Sequence, residues 1–201
     1  MRIPAAFGAL PMDLARYKRV LAGAGVTFES GLTEGEIRSI EERYRFKFPP
    51  DLRDFLTFAI PISKGFVNWR CETEDEIVNR LQWPYDGICF DIEHNAFWPA
   101  TWGPRPPSLD DAFAVAKSAV DAAPKLIPIY GHRYIPDRPH QAGNPVFSVY
   151  QTDIIYYGSD LADYLENEFA YYFGRTANLP PSGVKNIEFW SWLVGHNAGS
   201  I

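Results

Sequence analysis

Three strand-type segments lie close together in the second half of the chain. They span 126–130, 146–150 and 154–157, and each is rich in the β-branched and aromatic residues that favour strands. Only residues 151–153 separate the second segment from the third, which predicts an antiparallel hairpin. Helix-type patterns come before and after this group, and strands and helices do not alternate regularly. This order predicts an α+β fold in which N-terminal and C-terminal helices flank a central, mostly antiparallel sheet.

Apolar residues at helical spacing predict several helices on the N-terminal side of these strands. Thr33 with Glu36, and Thr73 with Glu76, have the spacing of capping boxes, so a helix is expected to begin after each threonine. The second of these helices is expected to end near Gln82. The other predicted helices span 13–21, the residues from Pro50 to before Pro61, and the residues from near Ser108 to before Pro124.

Two short strands are also predicted among these helices, at 66–69 and 88–92. A strand at 88–92 sends Asp91 to the face opposite His94, because successive side chains alternate along a strand. The helices expected after the hairpin are one that Ser159 caps and Gly174 ends, and one centred on Phe189, Trp190 and Leu193.

The composition fits a folded protein whose partner is not a nucleic acid. The 201 residues are 46% hydrophobic and include 14 Phe, 11 Tyr and 6 Trp, which is ample apolar material for a core. The net charge of -6 argues against non-specific binding to DNA or RNA, which needs a basic face, and suits a basic partner. The segment 43–48 alternates bases with aromatics, a pattern that can bind single-stranded nucleic acid. Its bases are instead expected to complement the dipole of the preceding helix, while Phe46 and Phe48 face the core.

Cys71 and Cys89 are the only cysteines, and neither has a close Cys or His at zinc-finger spacing. Both are expected to be free, buried and in a reducing compartment. The segment from Met1 to Leu10 is a poor signal peptide because a proline and a glycine interrupt it. No run reaches the roughly 18 apolar residues that span a bilayer. These features predict a cytoplasmic protein that does not enter a membrane.

Two groups of residues could suggest metal binding or catalysis. His132, Asp137 and His140 lie within one short segment, but the prolines between them prevent any helix from presenting both imidazoles on one face. Ser159 follows a glycine but lacks the second glycine of a nucleophile elbow. We therefore expect no metal ion, no cofactor and no catalytic residue.

Two sets of motifs resemble a known family. The first set is GLTEGEIRSIEERY at 31–44 followed by FPPDLRDFL at 48–56. The second set is GICFDIE at 87–93, FW at 97–98, WG at 102–103, LIPIYGHRY at 126–134 and NPVFSVY at 144–150. Together they cover roughly residues 32–173, and in this order they resemble the SMI1/KNR4 family, also called the SUKH superfamily, in particular its bacterial branch.

The resemblance implies both an architecture and a role. It implies a single α+β domain, here at 31–174, with a mostly antiparallel sheet and helices against it. This chain departs from the family pattern by an N-terminal helical extension at 1–30, a Trp/Pro-rich loop at 98–107 and a C-terminal helical tail at 175–201 that is expected to pack on the same domain. Many bacterial members are immunity proteins that neutralise toxins, often nucleases, and fungal members are regulatory scaffolds. No catalytic motif belongs to the family, so the resemblance implies a protein that works by binding a protein partner.

Arg, Tyr and Trp dominate binding hot spots, and several occur here in loops at the ends of predicted strands. The candidate partner-binding residues are Asp91, Trp98, Trp102, His132, Arg133 and Tyr134. The alternative is that Trp98 and Trp102 fill the core while Arg133 pairs with a nearby carboxylate. Three functions stay open: an immunity protein that binds a cognate toxin, a regulatory scaffold, and a small hydrolase or metalloenzyme, which the sequence disfavours.

Overall fold

The computed structural model describes residues 12–175 and 181–198, and it has the predicted α+β fold. Within these residues the helices span Leu14–Gly23 (α1), Glu34–Tyr44 (α2), Pro50–Phe58 (α3), Glu74–His94 (α4), Leu109–Ala122 (α5), Leu161–Glu168 (α6) and Trp190–Ala198 (α7). The strands span Phe28–Ser30 (β1), Ala59–Pro61 (β2), Leu126–Tyr130 (β3), Arg133–Pro136 (β4), Val146–Tyr150 (β5) and Asp153–Gly158 (β6). The segment from Met1 to Leu10, which the sequence indicates is a poor signal peptide, lies outside the described residues. Parts of the predicted N-terminal extension and C-terminal tail lie outside them too.

The strands form two antiparallel sheets, one of β1 and β2 and one in the order β3-β4-β5-β6. The three strands predicted in the second half are confirmed, and so is the hairpin, in which Tyr150 pairs with Asp153 across the turn. The sequence pattern misses β1, β2 and β4, because segments of three or four residues carry little periodicity. The strand predicted at 66–69 is wrong, since Phe66 forms only a single bridge to Tyr130.

Side-chain caps begin most helices where the sequence predicts them. Thr33 and Thr73 each accept a hydrogen bond from the backbone N–H three residues later, and the glutamate there accepts one from the threonine N–H. Pro50 occupies the first turn of α3, where its missing N–H has no intrahelical partner to lose. Ser108 caps α5. Local sequence therefore fixes these four starting points.

The start and the end of α6 differ from the prediction. The N-cap is Asp160 rather than Ser159, because the Asp160 carboxylate accepts from the Asp163 N–H at 2.8 Å. Ser159 instead donates its backbone N–H and its hydroxyl to the Asp163 carboxylate. The helix ends at Glu168, before a series of turns that leads to Gly174.

The strand predicted at 88–92 is wrong, because these residues belong to the 21-residue helix α4. Pro84 and Gly87 are residue types that usually interrupt a helix, but both lie inside α4. Pro84 has no N–H to donate to the Arg80 carbonyl four residues earlier. The Tyr134 hydroxyl donates to that carbonyl instead, over 2.9 Å. A residue from the sheet thus completes a hydrogen bond that the helix cannot make itself.

Two groups of buried side chains lie on opposite faces of the four-stranded sheet. One group joins α1, α2, α3 and α6 to the face that carries Ile127 and Ile135. The other joins α4, α5 and α7 to the face that carries Phe147. In α4 the fully buried Ile88 and Ile92 lie four residues apart, the spacing of one helix face.

Side-chain exposure tests the predictions made for single residues. Phe46 and Phe48 are buried, as expected. The prediction that both cysteines are buried is wrong for Cys71, which is exposed, while Cys89 is half-buried; both are free. Among the described residues, no helix has the length and apolar content needed to cross a membrane.

Candidate protein-binding surface

Asp91, the first of the predicted partner-binding residues, is buried and holds the β5–β6 turn. Its carboxylate accepts from the Thr152 backbone N–H at 2.8 Å and from the Thr152 hydroxyl at 2.5 Å. The other carboxylate oxygen accepts from the Asn95 amide at 2.5 Å. One turn earlier in α4, Gly87 lies so close to the hairpin that a Cβ there would be 2.7 Å from the Gln151 Cα. Asp91 therefore fastens the hairpin to α4 and presents no free carboxylate to a partner.

Tyr134 is also buried, with 2% of its surface exposed. Its ring belongs to the group of side chains between the sheet and α4, and its hydroxyl bonds to Arg80 as described above. Burial raises the pKa of Tyr134 well above its ordinary value. Its position makes Tyr134 a structural residue and keeps it away from the protein surface.

Trp98 and Trp102 lie in an aromatic cluster between the Trp/Pro-rich loop at 98–107 and α7. Their rings contact each other at 5.2 Å between centroids, and Trp102 stacks on Phe189 at 6.4 Å. The Trp98 indole donates to the Gly103 carbonyl at 2.8 Å, which closes the 3₁₀ turn at Ala100–Trp102. Both tryptophans are half-buried and pack against the second group of core residues, so they contact the core but do not fill it.

His132 and Arg133 lie at the start of β4, close to the C-terminal end of α6. The Arg133 guanidinium donates to Glu168 at 3.0 Å and to the Ser148 hydroxyl at 2.7 Å, and it lies over the Tyr157 ring at 3.8 Å. The alternative that Arg133 pairs with a nearby carboxylate is therefore confirmed. Its side chain is only 12% exposed. Burial and the adjacent Arg133 charge lower the pKa of His132, whose ring contacts Arg133.

The six predicted residues therefore lie at four separate places in the molecule. Those places are the hairpin clamp of Asp91, the aromatic cluster of Trp98 and Trp102, the ion-paired end of the sheet with His132 and Arg133, and the core position of Tyr134. No single surface brings them together.

The outer side of α4 presents a surface that the sequence analysis missed. Trp83, Asp86, Phe90 and Glu93 follow one another at helical spacing, and we call them the α4 stripe. Trp83 is 46% exposed and Phe90 is 44% exposed, so two large aromatic side chains lie at the surface within two turns of one helix. Aromatic and acidic side chains thus alternate along the stripe.

The β5–β6 hairpin extends the α4 stripe. The Trp83 indole donates to the Val149 carbonyl at 3.2 Å, beyond the point where β4 pairs with β5. Tyr150, the next residue, has an exposed side chain. Trp83 uses only its N–H in this bond, and nearly half of its surface remains exposed for contact.

The α4 stripe is negatively charged. In the described part of the chain no basic side chain pairs with Asp86, and partial burial raises the pKa of its carboxyl group. Glu93 lies 3.6 Å from the imidazole of His94, which in turn contacts the Phe90 ring at 4.5 Å. The spacing of these residues was visible in the sequence, but it has meaning only if 83–93 is helical, and Pro84 and Gly87 obscured that.

Known proteins offer no template for this surface. Comparisons with family models, curated proteins and solved structures find no match for the chain. Among the described residues, no three His, Cys, Asp or Glu side chains are grouped so that they could hold a metal ion.

Proposed function

We propose that this chain is a non-catalytic module that binds a basic partner protein in a stoichiometric complex through the α4 stripe and Tyr150. In its most specific form the proposal is an immunity protein of the SMI1/KNR4 family, which acts in the cytoplasm on a cognate toxin, with a nuclease as the favoured target. The observation that carries the proposal is the pair of exposed aromatic side chains, Trp83 and Phe90, set among carboxylates on one helix face.

Aromatic anchors and surrounding charge have different effects on binding. Trp83 and Phe90 offer large apolar areas that a partner can bury, and such residues provide most of the free energy of many interfaces. Asp86, Glu93 and the net charge of -6 attract a basic partner and raise its association rate. The stripe spans about 15 Å along α4, since each helical residue advances the chain by about 1.5 Å.

The family motifs support the same conclusion independently of the stripe. They suggest a binding role without a catalytic motif, and the exposed thiol of Cys71 suits a reducing compartment.

The test uses the product of a neighbouring toxin-like gene, co-expressed and then purified with this protein. We expect a one-to-one complex whose Kd rises by about 30-fold in Trp83→Ala and in Phe90→Ala, which corresponds to ~2 kcal/mol for a hot-spot residue. Titration calorimetry measures the Kd, and a thermal melt of each variant shows that it is folded. Tyr171→Ala is the matched control, because Tyr171 is an 87%-exposed aromatic residue outside the stripe.

Three results would contradict the proposal. Turnover of a substrate by the isolated protein, or protection from the toxin without a complex, would count against the binding role. A complex that tolerates both stripe substitutions would show that the interface lies elsewhere.

A further inference from the structure

A basic cleft lies on the other side of α4, in a protein whose overall charge is negative. The cleft has a volume of about 710 Å³ and lies between the end of α2, the first half of α4, the second half of α5 and the start of β3. Five basic side chains line it: Arg43, Arg45, Lys117, Lys125 and Arg138. Only two carboxylates, those of Asp121 and Asp137, line it with them.

Pairing inside the cleft leaves positive charge in excess. Lys117 pairs with Asp121 at 2.6 Å, and Arg138 lies 3.6 Å from Asp137. In the described part of the chain, no carboxylate lies within ion-pair distance of the remaining three bases. Those three bases are Arg43, Arg45 and Lys125.

Only some of these basic side chains bond to the C-terminal ends of helices. Lys125 donates to the Tyr44 and Arg45 carbonyls at the end of α2, and Arg138 donates to the Ala122 and Ala123 carbonyls at the end of α5. Cations at helix C-termini are stabilising, because each end carries about half a negative charge. Within residues 12–175 and 181–198, however, the side chains of Arg43 and Arg45 donate to no such carbonyl, and both are exposed.

The cations also affect one another. Burial is the main cause of the lowered pKa of Lys125. Asp137 and Asp121 oppose that effect, and the smaller repulsion from Arg45 and Lys117 adds to it. An anion bound among these side chains would relieve the repulsion.

We propose that this cleft binds a small phosphate-bearing molecule, with Arg43, Arg45 and Lys125 around the phosphate. Guanidinium groups match the geometry of phosphate oxygens, and a lysine adds a point charge. The volume is within the range of small-molecule sites, and the apolar parts of Leu81 and Tyr85 line the same cleft. A long polyanion is disfavoured, because the net charge of -6 repels it outside the cleft. The proposal does not depend on the proposed function.

The experiment titrates the full chain with pyrophosphate and, separately, with ADP, by calorimetry. We expect saturable one-to-one binding that weakens at least tenfold in the double variant Arg43→Gln with Arg45→Gln. The matched control is Arg19→Gln with Arg38→Gln, which removes the same charge at two exposed arginines that do not line the cleft. Thermal melts of both variants report on folding.

The two probes distinguish the sources of the phosphate group. Equal affinities indicate recognition of the phosphate alone, tighter binding of ADP indicates that a nucleoside also occupies the cleft, and either result supports the proposal. No saturation by either probe up to about 1 mM, or equal weakening in the control variant, would overturn it. A single-stranded oligonucleotide that binds more tightly than both probes and loses its affinity in the cleft variant would also overturn it, in favour of a nucleic-acid site.

Discussion

Arg133 and Trp83 are both residue types that dominate binding hot spots, but their surroundings differ. The Arg133 guanidinium is largely buried and is already occupied by Glu168, Ser148 and the Tyr157 ring. The Trp83 indole is nearly half exposed and makes a single hydrogen bond through its N–H. The contrast shows that residue type alone does not identify an interface. A side chain can bind a partner only where its own fold has left it unoccupied.

The largest loss of stability should come from removing the Arg133 side chain, which is already paired. Arg133→Ala should lower the free energy of unfolding by about 3 kcal/mol, because it leaves the largely buried Glu168 carboxylate without its cation. Urea denaturation measures the change. Arg38→Ala, at an exposed position, should stay within about 0.5 kcal/mol of the parent protein. Equal losses in the two variants would show that Arg133 is no more engaged than a surface residue.

A smaller loss of stability is expected from the hydrogen bond that joins Tyr134 of the sheet to α4. Tyr134→Phe keeps the ring but leaves the partly buried Arg80 carbonyl without this donor, so it should lower the free energy of unfolding by about 2 kcal/mol. Urea denaturation again gives the value.

A second substitution makes this test specific. Pro84→Ala restores a backbone N–H that can donate to the Arg80 carbonyl, so adding it to Tyr134→Phe should recover part of the loss. If the double variant recovers nothing, the Tyr134 hydroxyl does not act through the bond that Pro84 leaves open.

The smallest effect concerns a partly exposed ion pair between Arg70 and Glu36, which contrasts with the largely buried pair at Arg133. The Arg70 guanidinium and the Thr33 N–H and hydroxyl hold the pKa of Glu36 at about 2, below its ordinary 4.5. A lowered pKa stabilises the folded state above pH 4.5, and this stabilisation is lost as the pH falls toward 2. Because the pair is exposed to solvent, it should contribute less than about 1 kcal/mol.

Urea midpoints at pH 7 and pH 3 measure this contribution. The difference between the parent protein and Glu36→Gln should be larger at pH 7 than at pH 3. A difference that stays constant between the two pH values would contradict the assigned ion pair.

Local patterns predicted the elements that local interactions define. The capping boxes at Thr33 and Thr73 and the hairpin after Tyr150 were all found, because each needs only neighbouring residues. The end of α4 was missed for the opposite reason. Pro84 breaks a helix unless something distant compensates, and Tyr134, 50 residues further along the chain, provides the compensating hydrogen bond.

The candidate surface was harder to predict than the fold. The sequence showed that Arg133 is a residue suited to binding, but Glu168, its partner in the ion pair, lies 35 residues away in another element. The spacing of Trp83 and Phe90 was equally visible, but it indicates one exposed face only once the helix is known to continue through Gly87. Tertiary contacts determine whether Arg133 is already paired and whether the helix continues through Gly87. The spacing of residues along the sequence does not show such contacts.

The contact between α4 and the hairpin fixes how the helix is rotated about its own axis. Trp83, Gly87 and Asp91 lie one turn apart, and all three meet the hairpin. A shift by one residue turns a helix by about 100° and would place a side chain where only Gly87 fits against Gln151. The helix therefore has a single orientation on the sheet, and the position of Phe90 on its outer side is already fixed in the isolated chain. Such preorganisation limits the conformational entropy lost on binding to that of a few side-chain rotamers.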